Sequence, residues 1–100
     1  MIKYTKATLN KLLQILEESG YIVRFEKGNF VSGYAIVKNR KIIIVNKFFD
    51  TESRIMTLLE ILDYLPVEKR ILTAKSKAFY GELIKKGLIK NDLKYKNEEE

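Results

Sequence analysis

Hydrophobic positions recur at helical spacing over the first twenty residues. Leu9, Leu12, Leu13 and Leu16 fall at i, i+3, i+4 and i+7, which predicts an amphipathic helix from Thr5 to Ser19. Gly20 stands where a left-handed C-terminal cap belongs, and Thr5 or Thr8 can supply the N-cap. The period then changes to two. Tyr21, Val23 and Phe25 alternate with Ile22, Arg24 and Glu26, a strand that ends at the turn Lys27-Gly28-Asn29. Phe30 to Val37 reads as a second strand, with Gly33 marking a bulge or a close backbone approach. The polar link Lys38-Asn39-Arg40-Lys41 leads to a third strand, Ile42 to Asn46. Links this short predict an α+β fold built on a three-stranded antiparallel meander packed with helices.

The third strand breaks the alternation. Ile42-Ile43-Ile44-Val45 is apolar at every position, whereas a strand with one solvated face carries polar residues at every second one. It should therefore be covered on both sides. The expected cover is the first two helices on one face and the last helix on the other, with a homodimer contact as the alternative to it.

Asp50 or Thr51 caps the second helix, Ile55, Leu58, Leu59 and Leu62 form its core stripe, and Pro66 ends it. Val67 to Leu72 fits one helical turn, and Arg70 to Ala74 fits a short fourth strand. The final helix, about Lys75 to Lys86, is expected to bury Ala78, Phe79, Leu83 and Ile84, with Gly87 as its cap. The order is thus α-β-β-β-α-α in a single domain over 1–90, followed by a charged tail over 91–100 that is expected to fray.

Composition narrows the chemistry. The chain has no histidine and no cysteine in 100 residues. Structural zinc sites use Cys and His, catalytic zinc sites almost always a His, and nucleophilic triads an imidazole or a substitute base. Carboxylate, lysine, tyrosine and hard-metal chemistry stay open. Cysteine-free sequence, no bilayer-length apolar run and an N-terminus without a signal-peptide pattern give the cytoplasm as the default location, with no membrane partner.

The net charge of +6 favours an anionic partner, either nucleic acid or an acidic protein. Two segments concentrate that charge. Lys69, Arg70, Thr73, Lys75, Ser76 and Lys77 gather cations and hydroxyls around the start of the last helix, where free N–H groups and the helix dipole suit a phosphate. Lys38, Arg40 and Lys41 form a second patch at the hairpin tip. Tyr34 and Tyr80 are aromatics that would stack on a base if exposed. Each basic segment also reads simply as a solvated turn or helix face.

Four resemblances frame these residues. From Leu9 through Lys47 the chain resembles the PD-(D/E)xK nuclease core: an amphipathic helix, LEESGYIVRFEKGNF entering a hairpin, and an apolar strand ending in lysine. That family carries an acid two places before the lysine and an aspartate on the second strand. Here Val45 stands at the first place and Val31 to Ala35 hold no acid, so the carboxylates that would hold Mg²⁺ are missing. Arg40 to Leu65 resembles the hairpin and helix of small HExxH metallopeptidases, with Leu59-Glu60-Ile61-Leu62-Asp63 in the place of the pentad and both imidazoles absent. The element order is also similar to that of double-stranded RNA-binding domains. Their second helix opens on lysines, where this one opens Asp50-Thr51-Glu52-Ser53-Arg54. Finally, VRFEKGNFVSGY together with IIIVNKFFDTESRI resembles a group of small uncharacterised bacterial proteins, which implies a shared fold and no activity.

The sequence thus points to a non-catalytic binding module without a cofactor or metal, engaging nucleic acid or another anionic macromolecule. The alternatives are a protein-interaction or dimerisation module and a degenerate relative of the nucleases or metallopeptidases. Convergence of Glu17 or Glu18, Glu26 and Asp50 beside Lys47 would favour an enzyme, and one continuous basic face would favour binding.

Overall fold

The computed structural model describes residues 2–28, 30 and 33–90. Helix α1 spans Lys6–Glu18 and strand β1 Ile22–Glu26. Strands β2 (Tyr34–Val37) and β3 (Ile42–Asn46) follow, joined by a 3-10 turn over Lys38–Arg40. Helix α2 covers Thr51–Tyr64, a second 3-10 turn Lys69–Ile71, and helix α3 Ala74–Lys85.

Local chemistry sets the boundaries. The Thr5 hydroxyl accepts the Thr8 N–H at 3.3 Å, Asp50 accepts that of Ser53 at 2.8 Å, and Thr73 accepts that of Ser76 at 3.3 Å, so each α-helix begins on a side-chain cap. Gly20 closes α1 at φ +90°. Its N–H bonds the Glu17 carbonyl and that of Tyr21 bonds Leu16, the paired bonds of a Schellman motif. Gly87 and Leu88 repeat the pattern at the end of α3 on Ile84 and Leu83. Residues 70–74, which fit a fourth strand by sequence, form instead the 3-10 turn and the cap of α3.

The sheet is mixed, not an antiparallel meander. Its order is β1-β3-β2, with β1 parallel to β3 and β2 antiparallel to it. The physical reason lies in β3. As the most apolar strand it takes the central place, where both edges are paired, and the more polar β1 and β2 lie outside it. Strands β1 and β2 are not neighbours in the sheet, so the link between them is no two-strand hairpin. It can reach roughly 23 Å, ample for the roughly 10 Å between the outer strands. Strand β2 starts at Tyr34, later than the alternation suggested, and Asn29, Val31, Ser32 and the expected tail over 91–100 lie outside the described residues.

Val23, Phe25, Tyr34, Ile36, Ile43 and Val45 share the inner face and pack with the buried stripes of the helices. In α1 that stripe is Leu9, Leu12, Ile15 and Leu16, and in α2 Ile55, Leu58, Leu59, Ile61 and Leu62. Helix α3 is turned from its expected orientation. It buries Ser76, Tyr80 and Leu83, while Ala78 is exposed and Phe79 half-buried. It packs on α1, on the side of the other helices. The expected placement of the last helix on the second face of β3 is therefore corrected. Among the described residues no member of the apolar core comes from the outer face of the sheet.

Candidate functional site

The two basic segments, about thirty positions apart, both lie beside the C-terminal ends of α1 and α2. Strands β1 and β3 begin there and β2 ends there. The Ile22 N–H bonds the Lys41 carbonyl at 2.8 Å, so the hairpin tip lies against the residues leaving α1. Lys41 adopts a left-handed conformation (φ 54°), and its ammonium sits 5.7 Å from the centre of the Tyr21 ring. From the same tip the Lys38 ammonium donates to the hydroxyl of Tyr64, the last residue of α2, at 3.0 Å and lies 4.8 Å from that ring's centre. Beyond Tyr64 come Lys69 and Arg70 in the second 3-10 turn, then Lys75 and Lys77 in the first turns of α3. All seven cations are exposed except the half-buried Lys69.

Glu18, in the last turn of α1, ties this end together. Its carboxylate accepts the Thr73 N–H at 2.9 Å, the Thr73 hydroxyl at 3.1 Å and the Gln14 amide at 2.8 Å. Partial burial alone would raise its pKa. The hydrogen bonds from the Thr73 backbone, Gln14, Thr73 and Ser76 outweigh that, and the carboxyl is held below its ordinary value of 4.5. The start of α3, read from sequence as a phosphate cradle, thus already holds an anion that the protein itself supplies. Thr73 and Ser76 belong to this cap, and Ser76 is only 6% exposed. Of the sequence candidates, Lys38, Arg40, Lys41, Lys69, Arg70, Lys75 and Lys77 remain as surface charge. Arg70 pairs with Glu68 at 2.6 Å. Lys75 and Lys77 are about 200° apart around the helix and flank the buried Ser76 on opposite sides. Lys75 also lines an open groove of about 720 Å³ between α1 and α3, with Lys11, Gln14 and Phe79.

The aromatic expectations change. Tyr80 is wholly buried and offers no stacking face. Tyr34 lies on the inner face of the sheet and donates to Glu60 at 2.8 Å, which raises its phenol pKa. The exposed aromatic at the basic end is Tyr64, at 59%. Sequence periodicity passed over both Tyr64 and Glu18. Each follows a core stripe as an ordinary polar-face residue, and Glu18 meets its partner 55 positions away.

The acids do not gather. Glu18 is bound to α3, Asp50 caps α2, and Glu26 lies 3.9 Å from Arg24 on the outer face of β1. Among the described residues no three carboxylates come together as a set that could hold a metal ion. At the end of the sheet away from the basic tip, Arg54 stacks on Phe25 at 4.2 Å and donates to the carbonyls of Lys47 and Phe49. It fastens the loop from β3 into α2. In the metallopeptidase-like pentad Leu59 and Leu62 are core, and Glu60 accepts the Tyr34 hydroxyl. No described helix is long and apolar enough to cross a membrane. Comparison with family models, with curated proteins and with solved structures finds no match for the chain.

Proposed function

We propose that the chain is a non-catalytic cytoplasmic binding module that holds nucleic acid by its phosphate backbone at the basic end. One observation carries the reading. Seven cations from two separate segments, Lys38, Arg40, Lys41, Lys69, Arg70, Lys75 and Lys77, are carried by turns and a helix start beside the C-terminal ends of α1 and α2. Three acids near them are engaged: Glu18 by Thr73, Glu68 by Arg70, and Asp63 by the Lys90 N–H at 2.7 Å. Such a surface neutralises phosphates and releases their counterions, a sequence-independent attraction that falls steeply with salt. Tyr64 beside Lys38 adds an exposed ring against which an unpaired base can stack.

Fluorescence anisotropy of labelled single- and double-stranded oligonucleotides at ~50 mM salt, where such contacts are strong, tests this directly. Saturable binding weakened by salt is expected. Absence of binding to either form refutes the proposal, and retention of polyglutamate instead would point to an acidic protein partner.

A further inference from the structure

We infer that the free edge of β1 is a self-association site, where a second copy of this chain adds its own β1 antiparallel and joins the two sheets. Strand β1 lies at the border of the sheet and pairs with β3 alone. The Ile22 N–H donates to the Lys41 carbonyl, and the Lys47 N–H to the Glu26 carbonyl. Ile22, Arg24 and Glu26 therefore turn their backbone groups toward β3, and Val23 and Phe25 turn theirs outward. Among the described residues no hydrogen bond reaches those outward groups. A row of unpaired N–H and C=O groups is a template for another strand. Beside it, α1 and β1 flank an open groove of about 560 Å³, walled by Leu13, Tyr21, Val23 and Phe25, with Glu17 as its one charged lining residue.

Register and charge select the occupant. An antiparallel strand must set outward-turned residues against outward-turned residues. Centring two copies of β1 on Arg24 puts guanidinium against guanidinium, and centring them on Val23 leaves Glu26 without an opposite residue in the strand. Centring them on Phe25 sets Arg24 opposite Glu26 of the second copy, on the outer face, and Glu26 opposite the second copy's Arg24. The same register sets Val23 opposite Lys27 of the second copy. Continuing the strand's alternation, that lysine points to the inner side, toward the groove and Glu17. Two-fold symmetry makes each contact twice, so β1 complements itself in charge. The basic ends do not oppose this. Lys41 lies level with Tyr21, four places from Phe25, so antiparallel pairing holds the two hairpin tips about 26 Å apart along the strands. That is well beyond the roughly 8–10 Å over which salt screens exposed charges.

Sedimentation of the whole chain from about 10 μM to about 1 mM tests this across the range where a weak dimer forms by mass action. The mean mass should climb from 11.7 kDa toward twice that value. Arg24→Glu and Glu26→Arg each set like charges opposite one another, and each should weaken self-association about tenfold. Arg24→Glu also lowers the net charge, which through general repulsion alone would strengthen association, so the sign separates the two causes. Both side chains are exposed, and circular dichroism reports that the variants are folded. An equimolar mixture of the two single variants restores both opposite-charge pairs and should dimerise as wild type does. A wild-type chain that stays monomeric at about 1 mM overturns the proposal and leaves the edge to a strand of another protein. A folded Arg24→Glu chain that associates as wild type does overturns it too, and so does a mixture that associates no better than either variant alone.

Discussion

Replacing Glu18 tests how the basic end is assembled, because its carboxylate faces two demands of opposite sign. It accepts hydrogen bonds from Thr73 and Gln14 and places negative charge at the start of α3. It also subtracts one charge from a surface proposed to attract phosphates. A hydrogen bond to a charged group contributes about 1.5–3 kcal/mol when shielded. Solvent reaches this site, so roughly 1 kcal/mol is the appropriate scale, with about 0.3–1 kcal/mol from the helix dipole included in it. Glu18→Gln keeps an acceptor and loses the charge, and should cost about 0.5–1 kcal/mol. Glu18→Ala loses both and should cost about 1–2 kcal/mol, lowering the melting temperature by roughly 4–8 °C for each kcal/mol. The folded carboxyl titrates below its ordinary 4.5, so its contribution is full above that pH and is lost as pH falls through the folded value. The gap between wild type and Glu18→Gln in urea unfolding should accordingly close in acid. Binding should move the other way. A charge about 8 Å from a phosphate in water repels it by roughly 0.5 kcal/mol, so Glu18→Gln should bind an oligonucleotide about twofold more tightly at low salt. Urea melts followed by circular dichroism and anisotropy titrations read the two effects. Equal stability of wild type and Glu18→Ala at pH 7 would refute the assigned bonds, and weaker binding by a folded Glu18→Gln would refute the electrostatic reading.

Two further predictions concern the fold. Gly33 has φ +88°, and a Cβ there would collide with the Phe49 ring, so Gly33→Ala should destabilise by more than about 2 kcal/mol. Gly81 sits inside α3 with open space around it, and Gly81→Ala should stabilise by about 0.5–1 kcal/mol; unfolding curves that give both changes the same sign would contradict the structure. Leu58 is fully buried and Met56 54% exposed, so Leu58→Ala should cost about 2–5 kcal/mol and Met56→Ala within roughly 0.5 kcal/mol; equal losses would mean that α2 presents a different face.

Local signals in the sequence carried far. Thr5, Asp50, Gly20 and Gly87 mark helix ends because capping is decided within a few residues, whereas Gly33 lies before β2 and not inside it, crowded by the Phe49 ring. Long-range signals carried less. Nothing in Lys27-Gly28-Asn29 distinguishes a tight hairpin from the start of a crossing link, so the parallel pairing of β1 with β3 was not visible. The apolar run in β3 announced two faces wanting cover. It did not say that the second would be left open by the helices. In α3 the sequence reading put Ala78 and Phe79 inward and offered Tyr80 as a stacking face, whereas packing against α1 buries Tyr80. The basic residues were legible one by one, whereas their convergence depends on where α1, α2 and the hairpin tip end in space. Glu18 stood out only as a candidate acid, and nothing local marked it as the partner of Thr73.

The central claim is that the two basic segments act as one phosphate-binding surface. Its most direct test is the salt dependence of oligonucleotide affinity for three folded chains: wild type, Lys38→Glu with Lys41→Glu, and Lys75→Glu with Lys77→Glu. Each phosphate contact adds roughly 0.7–0.9 to the slope of log affinity against log salt. Reversal in either segment should lower both affinity and slope, for every sequence alike. Loss of slope from one segment alone would reduce the site to that segment, and an unchanged slope in both variants would contradict the claim.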